Sequence, residues 1–150
     1  METNQPGMRA VGLSTVTIAV DQYDGKEMSG RFCDVYDGRL YRFDSTLMLL
    51  RLLDAFFDAC QMPQAAHRYR SFSTQDWKPA LSLSRFEITE GTSLSGHGSH
   101  ATFVLRVHSR QGADWQGCLR WMELHQQQYF RSGIELLHLM DEALDTTIAR

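Results

Sequence analysis

The sequence is poor in cysteine, and its few cysteines form no metal-binding or redox motif. Cys33, Cys60 and Cys118 lie far apart, their number is odd, and no C-x-x-C pair occurs. Free cysteines in this pattern are typical of reducing compartments, so we expect a cytoplasmic protein. Residues 1–12 lack the basic and apolar regions of a secretory signal, and the longest apolar run, 47–53, is too short to cross a membrane.

Neither sign of charge dominates. The chain has 15 lysines and arginines against 18 aspartates and glutamates, which gives a net charge of −3. That balance argues against a protein that binds nucleic acid with its whole surface, and it is too mild for a phosphate mimic. The length of 150 residues, with 43% apolar and 22% charged residues, predicts a single domain over 1–150 that buries its own core.

Motifs of enzymatic chemistry are missing as well. The sequence contains no P-loop, no G-x-S-x-G nucleophile elbow and no G-x-G-x-x-G that follows a strand. The cysteines have no local basic partner, which a catalytic thiol needs. These absences predict a protein that is not an enzyme and that carries no cofactor.

The sequence does contain a match to itself. Shifted by 87 residues, the segment 15–60 aligns without a gap with 102–147, and residues 61–101 form an insert between them. Such self-similarity predicts two copies of one structural unit, related by a pseudo-two-fold axis within one domain. Identical pairs include Val20 with Val107, Gly30 with Gly117, Phe43 with Phe130, Ser45 with Ser132, Asp54 with Asp141 and Asp58 with Asp145.

Each copy has the pattern of three strands and a helix. Apolar residues alternate in the strand segments and recur at helical spacing in the helix segments. In the first copy the predicted elements are strands Thr15–Tyr23, Met28–Tyr36 and Arg39–Asp44 and helix Thr46–Cys60, and the second copy ends with helix Gly133–Thr147.

Small residues recur at the boundaries and bends of these elements. Gly30 and Gly117 lie inside strands, which indicates a bulge or a backbone that another group approaches closely. Ser45 and Ser132 precede the two helices and are predicted N-caps. Glu135 completes a capping box with Ser132, because it stands three residues later.

These elements predict an α+β fold, with antiparallel meanders joined in one sheet or half-barrel and two helices packed on one face. Leu81–Thr89 alternates briefly and is predicted to be an extra edge strand. Trp115 and Trp121 are six residues apart on one predicted strand, so we expect both to pack against helix 133–147. If Trp121 lies on the open face of the sheet instead, it marks a docking surface.

The insert supplies most of the candidate binding residues. Its segment 67–78 mixes basic and aromatic side chains, a composition shared by protein-interface hot spots and by surfaces that bind single-stranded nucleic acid. The same aromatics also suit a simpler role, in which they pin the insert to the core. The candidates are Arg68, Tyr69, Arg70, Phe72, Trp77 and Lys78, to which we add Trp121.

Four aspartates are the candidate metal ligands. Asp54 and Asp58 lie one helical turn apart, and Asp141 and Asp145 repeat this spacing in the second helix. If the helices pack side by side, four carboxylates converge on a site suited to Mg²⁺ or Ca²⁺. The simpler interpretation is two solvated helix faces, and on that interpretation the protein binds no metal.

The sequence leads to one principal hypothesis and two alternatives. The principal one is a small protein-interaction module, an adaptor or inhibitor of a larger partner, of the kind that phages and mobile elements encode as anti-CRISPR proteins. The second is nucleic-acid binding through segment 67–78. The third is a small-ligand or metal-dependent enzyme at the cleft between the helices. A homo-oligomer is compatible with all three, and a membrane partner is not expected.

Overall fold

The computed structural model describes residues 15–36, 38–60, 72, 81–88, 97–110 and 114–148. They form an α+β fold with one six-stranded antiparallel sheet and two helices. The strands are β1 (Thr15–Tyr23), β2 (Met28–Asp34), β3 (Leu40–Phe43), β4 (Ala101–Ser109), β5 (Gln116–Trp121) and β6 (Gln126–Phe130), and the helices are α1 (Thr46–Cys60) and α2 (Gly133–Ile148).

The strand order is β3-β2-β1-β4-β5-β6, so β1 and β4 form the centre of the sheet. Thr17 pairs with Val104 in the middle of their ladder. Val16 opposite Leu105 lies on one side of this pair, and Ile18 opposite Phe103 lies on the other. These four apolar side chains are fully buried and form the middle of the core.

Both helices pack on the face of the sheet that carries Ile18 and Phe32. Phe56 of α1 contacts Phe32 edge to face, at a ring-centroid distance of 6.1 Å. Leu136 and Met140 of α2 belong to the same continuous core. A fully buried aliphatic or aromatic side chain contributes about 1.5–3 kcal/mol, so this layer of contacts stabilises the fold. Both described helices lie on this one face of the sheet.

The glycine inside β2 lies opposite a bulge, as predicted. The register of β1 against β2 shifts between Val20 and Gln22, and Gly30 pairs with Val20 just before that shift. A Cβ atom at Gly30 would stand 2.0 Å from the carbonyl oxygen of Ala19. Only glycine fits there, because real Cβ atoms do not approach a backbone oxygen so closely.

The second glycine has the same setting in the other half of the sheet. Gly117 pairs with Val107, and the β4–β5 register shifts between Val107 and Ser109. A Cβ atom at Gly117 would lie 2.0 Å from the carbonyl oxygen of Arg106. Both predicted interpretations of these glycines, a bulge and a close backbone approach, are therefore confirmed.

Serine caps both helices, as predicted. The Ser45 hydroxyl accepts the Met48 amide at 3.1 Å, and the Ser132 hydroxyl accepts the Glu135 amide at 3.0 Å. The reciprocal half of the predicted capping box differs, because the Glu135 carboxylate accepts the amide of Arg131, one residue before the cap.

The strand prediction for 81–89 is wrong. Leu83–Phe86 forms a turn of 3-10 helix, and within the described residues 81–88 Glu87 alone forms a bridge to the sheet, opposite Tyr41 of β3. Leu83 and Phe86 are three residues apart, so a three-residue period puts both against the core. That packing outweighs the short alternation of the sequence.

Candidate functional site: the open face of the sheet

The open face of the sheet, opposite the helices, is built by the alternate residues of the strands. In β4 the core-facing Leu105 and Val107 alternate with Val104, Arg106 and His108, which therefore point away from the helices. The same alternation in β5 directs Cys118 and Arg120 to this face.

Cross-strand pairing gathers these residues into one patch. Val104 pairs with Arg120, and Arg106 pairs with Cys118. Arg106 and Arg120 are thus diagonal neighbours, a relation that places side chains about 7–8 Å apart at their bases. Cys118 in turn pairs with Tyr129 of β6. We define the open-face patch as Val104, Arg106, His108, Cys118, Arg120 and Tyr129.

The aromatic component of the patch is Tyr129, whose surface is 67% exposed. Its ring centroid lies 6.4 Å from that of His108, at an angle of 49°. Two amphipathic rings therefore lie next to the two arginines. Such rings offer apolar area at low conformational cost, which favours their use in contact surfaces.

The charge of the patch is positive. Arg106 and Arg120 are exposed, and neither forms an ion pair within the described part of the chain. The contact of Arg106 is a 3.4 Å hydrogen bond from Nε to the Thr15 hydroxyl. Burial raises the pKa of the Cys118 thiol, and the nearby Arg106 charge opposes that shift.

The other half of the open face adds a further arginine pair. Arg31 of β2 stands directly opposite Arg42 of β3. Arg31 is neutralised by Asp21, at 3.1 Å between Nε and Oδ2. Arg42 is exposed and has no ion pair among the described residues, so it adds to the positive field of this face.

Most of the candidate residues of the insert lie outside the described residues. This is the case for Arg68, Tyr69, Arg70, Trp77 and Lys78. Phe72 is described, and its side chain is fully exposed, so it does not pin the insert to the core.

Both tryptophans join the core on the helix side of the sheet, as expected, and the alternative of an open-face Trp121 is wrong. Trp121 lies on the helix side of the sheet, partly buried against the core, and not on the open face. It pairs with core-facing Phe103, which decides its side of the sheet. Trp115 precedes β5 and packs edge to face on Phe57 of α1, with the ring centroids 5.6 Å apart.

The first aspartate pair is an anchor for an arginine. The Arg110 guanidinium donates to Asp58 at 2.9 Å and to Asp54 at 3.1 Å. Its side chain is only 3% exposed and also lies 5.7 Å over the Phe57 ring. The two carboxylates therefore compensate a buried cation.

The second aspartate pair binds a tyrosine. The Tyr23 hydroxyl donates to Asp141 and lies 3.0 Å from Oδ1 of Asp145. Burial, these contacts and the negative charge of both carboxylates raise the pKa of Tyr23 well above its ordinary value of 10.0.

The four aspartates do not converge on a metal site. Tyr23 lies at the end of the β1–β4 ladder where Val20 pairs with Ala101. Arg110 lies at the other end, where Thr15 pairs with Arg106. The two aspartate pairs therefore lie at opposite ends of the central ladder. Among the described residues, no group of three or more His, Cys, Asp or Glu side chains is arranged to hold a metal ion.

Sequence reasoning missed the arginines of the open face. Alternation along β4 was the available signal, since it separates Arg106 and His108 from Leu105 and Val107. The missing information was the register between β4, β5 and β6, because only that register makes Arg120 a diagonal neighbour of both Arg106 and Tyr129.

Comparisons with known proteins give no relative from which to transfer a function. No protein-family model, curated protein or solved structure matches the chain. In the described part of the chain, neither helix has the length and apolarity needed to cross a membrane. The function must therefore be inferred from the geometry of the chain itself.

Proposed function

We propose that this chain is a small, non-enzymatic protein-interaction module, an adaptor or inhibitor, that binds a larger protein through its open-face patch. One observation carries the proposal: Arg106, Arg120 and Tyr129 lie close together and exposed on the sheet face opposite α1 and α2.

The composition of the patch favours a protein partner. Arginine and tyrosine are enriched at the centres of protein interfaces, whereas Lys, Asp and Glu are depleted there. The patch contains two arginines, one tyrosine and no Lys, Asp or Glu. Half-buried Val104 lies beside the arginines and adds an apolar contact.

The charge of the patch specifies the chemistry of that partner. The whole chain has a net charge of −3, yet the patch is positive. An acidic partner surface is repelled by the chain as a whole and attracted by this face, so electrostatics orient the encounter. We therefore expect the partner to present carboxylates around an apolar or aromatic group.

The test is affinity capture from a lysate of the source organism, followed by binding measurements with the purified captured protein. The variant Arg106→Ala/Arg120→Ala removes the charges of the patch. Arg51→Ala/Arg131→Ala is the matched control, because both of these exposed arginines lie elsewhere. We expect the wild type and the control to retain the same protein and the patch variant to lose it. Equal retention by both variants contradicts the proposal.

Nucleic-acid binding is the second candidate. The observation that favours it is the exposed positive charge of Arg106 and Arg120 near Tyr129, since neither arginine forms an ion pair with a described residue. Phosphates bind arginine, and an exposed tyrosine stacks on bases. This function predicts binding to a single-stranded oligonucleotide that weakens steeply with salt. Arg68 and Arg70 of the insert would then contribute. No binding to DNA or RNA oligonucleotides at low salt rejects it.

We also propose that 15–60 and 102–147 are copies of one β-β-β-α unit around a pseudo-two-fold axis. The pairs Val16–Leu105 and Ile18–Phe103 support this, since a shift of 87 residues converts one pair into the other. Exchanging the equivalent residues Val16 and Phe103 tests it. The double variant Val16→Phe/Phe103→Val should lose less free energy of unfolding than the sum of the losses caused by the two single substitutions.

A further inference from the structure

The two edges of the sheet differ. At the β3 edge, Glu87 bridges Tyr41, and the amide of Ile88 donates to the Leu40 carbonyl at 2.8 Å. The β6 edge has no such cover: within the described residues, β6 pairs with β5 alone. No described strand occupies its outward backbone groups, so this edge can accept another strand.

The β6 edge lacks the features that normally prevent strand addition. Proteins block such edges with charged side chains, prolines or bulges. The sequence of β6, Gln126–Phe130, is QQQYF, which has none of these residues. Its register with β5 continues without a shift from Gly117–Phe130 to Trp121–Gln126. The first four residues of β6 are exposed.

We infer that β6 binds β6 of a second copy of this chain, antiparallel and around a two-fold axis at Gln128. This register pairs all five residues: Gln128 meets its own copy, Gln127 meets Tyr129, and Gln126 meets Phe130. The dimer is isologous, so every contact is made twice. The two sheets join into one continuous sheet.

The side chains of β6 suit a second copy. A glutamine amide both donates and accepts hydrogen bonds, so Gln128 is complementary to itself. No like charges meet, because the strand has no charge. Self-complementarity of this kind selects a second copy over a foreign strand.

Formation of the proposed dimer does not depend on the proposed binding function. Tyr129 projects from the open face, perpendicular to the edge, so it stays available when β6 is paired. The dimer places two open-face patches on one continuous sheet. A partner with two acidic sites would then be bound more tightly than by one patch.

Sedimentation equilibrium over a range of protein concentrations tests the inference. We expect the wild type to dimerise and Gln128→Lys to weaken dimerisation about fivefold or more, since it sets two lysines opposite each other. Gln116→Lys is the control, because Gln116 is an exposed glutamine on β5, away from the edge. Circular dichroism and thermal unfolding establish that each variant is folded.

A mixing experiment separates edge repulsion from other effects of the lysine. Gln128→Lys and Gln128→Glu should each be mainly monomeric alone and should form a heterodimer when mixed, because opposite charges then meet at the axis. A wild type that is monomeric at several hundred micromolar overturns the inference, and so does a dimer that Gln128→Lys leaves unchanged. Neither outcome bears on the open-face patch, whose arginine variants should dimerise normally.

Discussion

The Tyr23 hydroxyl donates a hydrogen bond to the Asp141 carboxylate, and so ties the end of β1 to α2, 118 residues further along the chain. At the opposite end of the central ladder, Arg110 ties the segment after β4 to Asp54 of α1. Each central strand is thereby anchored to a helix that is distant in sequence. These two contacts hold both helices in place against the sheet.

Tyr23→Phe should lower the free energy of unfolding by about 1–2 kcal/mol at neutral pH, because it removes a hydrogen bond to a charged acceptor. The contribution of Tyr23 also depends on pH. Its pKa is raised in the folded state, so the stabilisation is complete below the unfolded-state pKa of 10.0 and is lost as the pH rises above it.

Urea unfolding of the wild type and Tyr23→Phe across this pH range measures the effect. The difference between the two proteins should shrink as the pH rises above 10. Tyr129→Phe serves as the control, since Tyr129 is exposed on the open face. A difference that stays constant with pH would show that the hydroxyl does not interact with the carboxylates.

Arg110→Met should destabilise the fold by about 2–3 kcal/mol, because it leaves Asp54 and Asp58 without their buried cation. This expected loss is smaller than the loss for a fully buried ion pair, since Asp58 is 61% exposed and water screens its charge. Chemical denaturation provides the measurement. Arg131→Met, which removes the exposed pair with Glu135, should change stability little, and equal losses for both variants would refute the buried-anchor role.

Gly30→Ala should lower stability by about 2 kcal/mol, because its methyl group forces apart the backbones at the bulge. Gly117→Ala should act similarly, for the same geometric reason. Gly133→Ala is the control: at the start of α2 the nearest atom to an added Cβ is 3.8 Å away. Alanine is the better helix former, so this variant should be neutral or slightly more stable. Thermal unfolding distinguishes these outcomes.

His125→Gly should stabilise the protein by about 1 kcal/mol. His125 ends the turn between β5 and β6 with a φ of 52°, a left-handed conformation that is costly for a residue with a Cβ atom. Gly38, in the turn between β2 and β3, has a φ of 77°, and Gly38→His should cost a similar amount. Melting temperatures that move in the same direction for both variants would contradict this account.

Local patterns predicted the helices and the bulges well. The apolar spacing and the serine cap predicted α1 as Thr46–Cys60, which are its bounds in the structure. Gly30 and Gly117 marked the two bulges, because a missing side chain inside a strand requires a backbone reason. The second strand was predicted as Met28–Tyr36, yet β2 ends at Asp34. The Asp34 carboxylate accepts the Tyr36 amide in the turn that follows.

Predictions that needed contacts between distant segments were less successful. The alternation of Leu81–Thr89 did not reveal that Leu83 and Phe86 pack on the core in a 3-10 turn. The sequence left two sides of the sheet open for Trp121, and only its pairing with Phe103 decides for the expected helix side. Each of these outcomes depends on a neighbour that is far away in the sequence.

The sequence by itself determined which residues share a helix face or a strand face, since those relations follow from the fixed periods of the backbone. Asp54 and Asp58 had to lie on one side of α1, and Val104 and Arg106 on one side of β4. Only the tertiary structure decided that Arg110 would stand between the two aspartates and that Arg120 would lie beside Arg106. Strand order and register are set by the packing of the whole core, and no single segment contains that information.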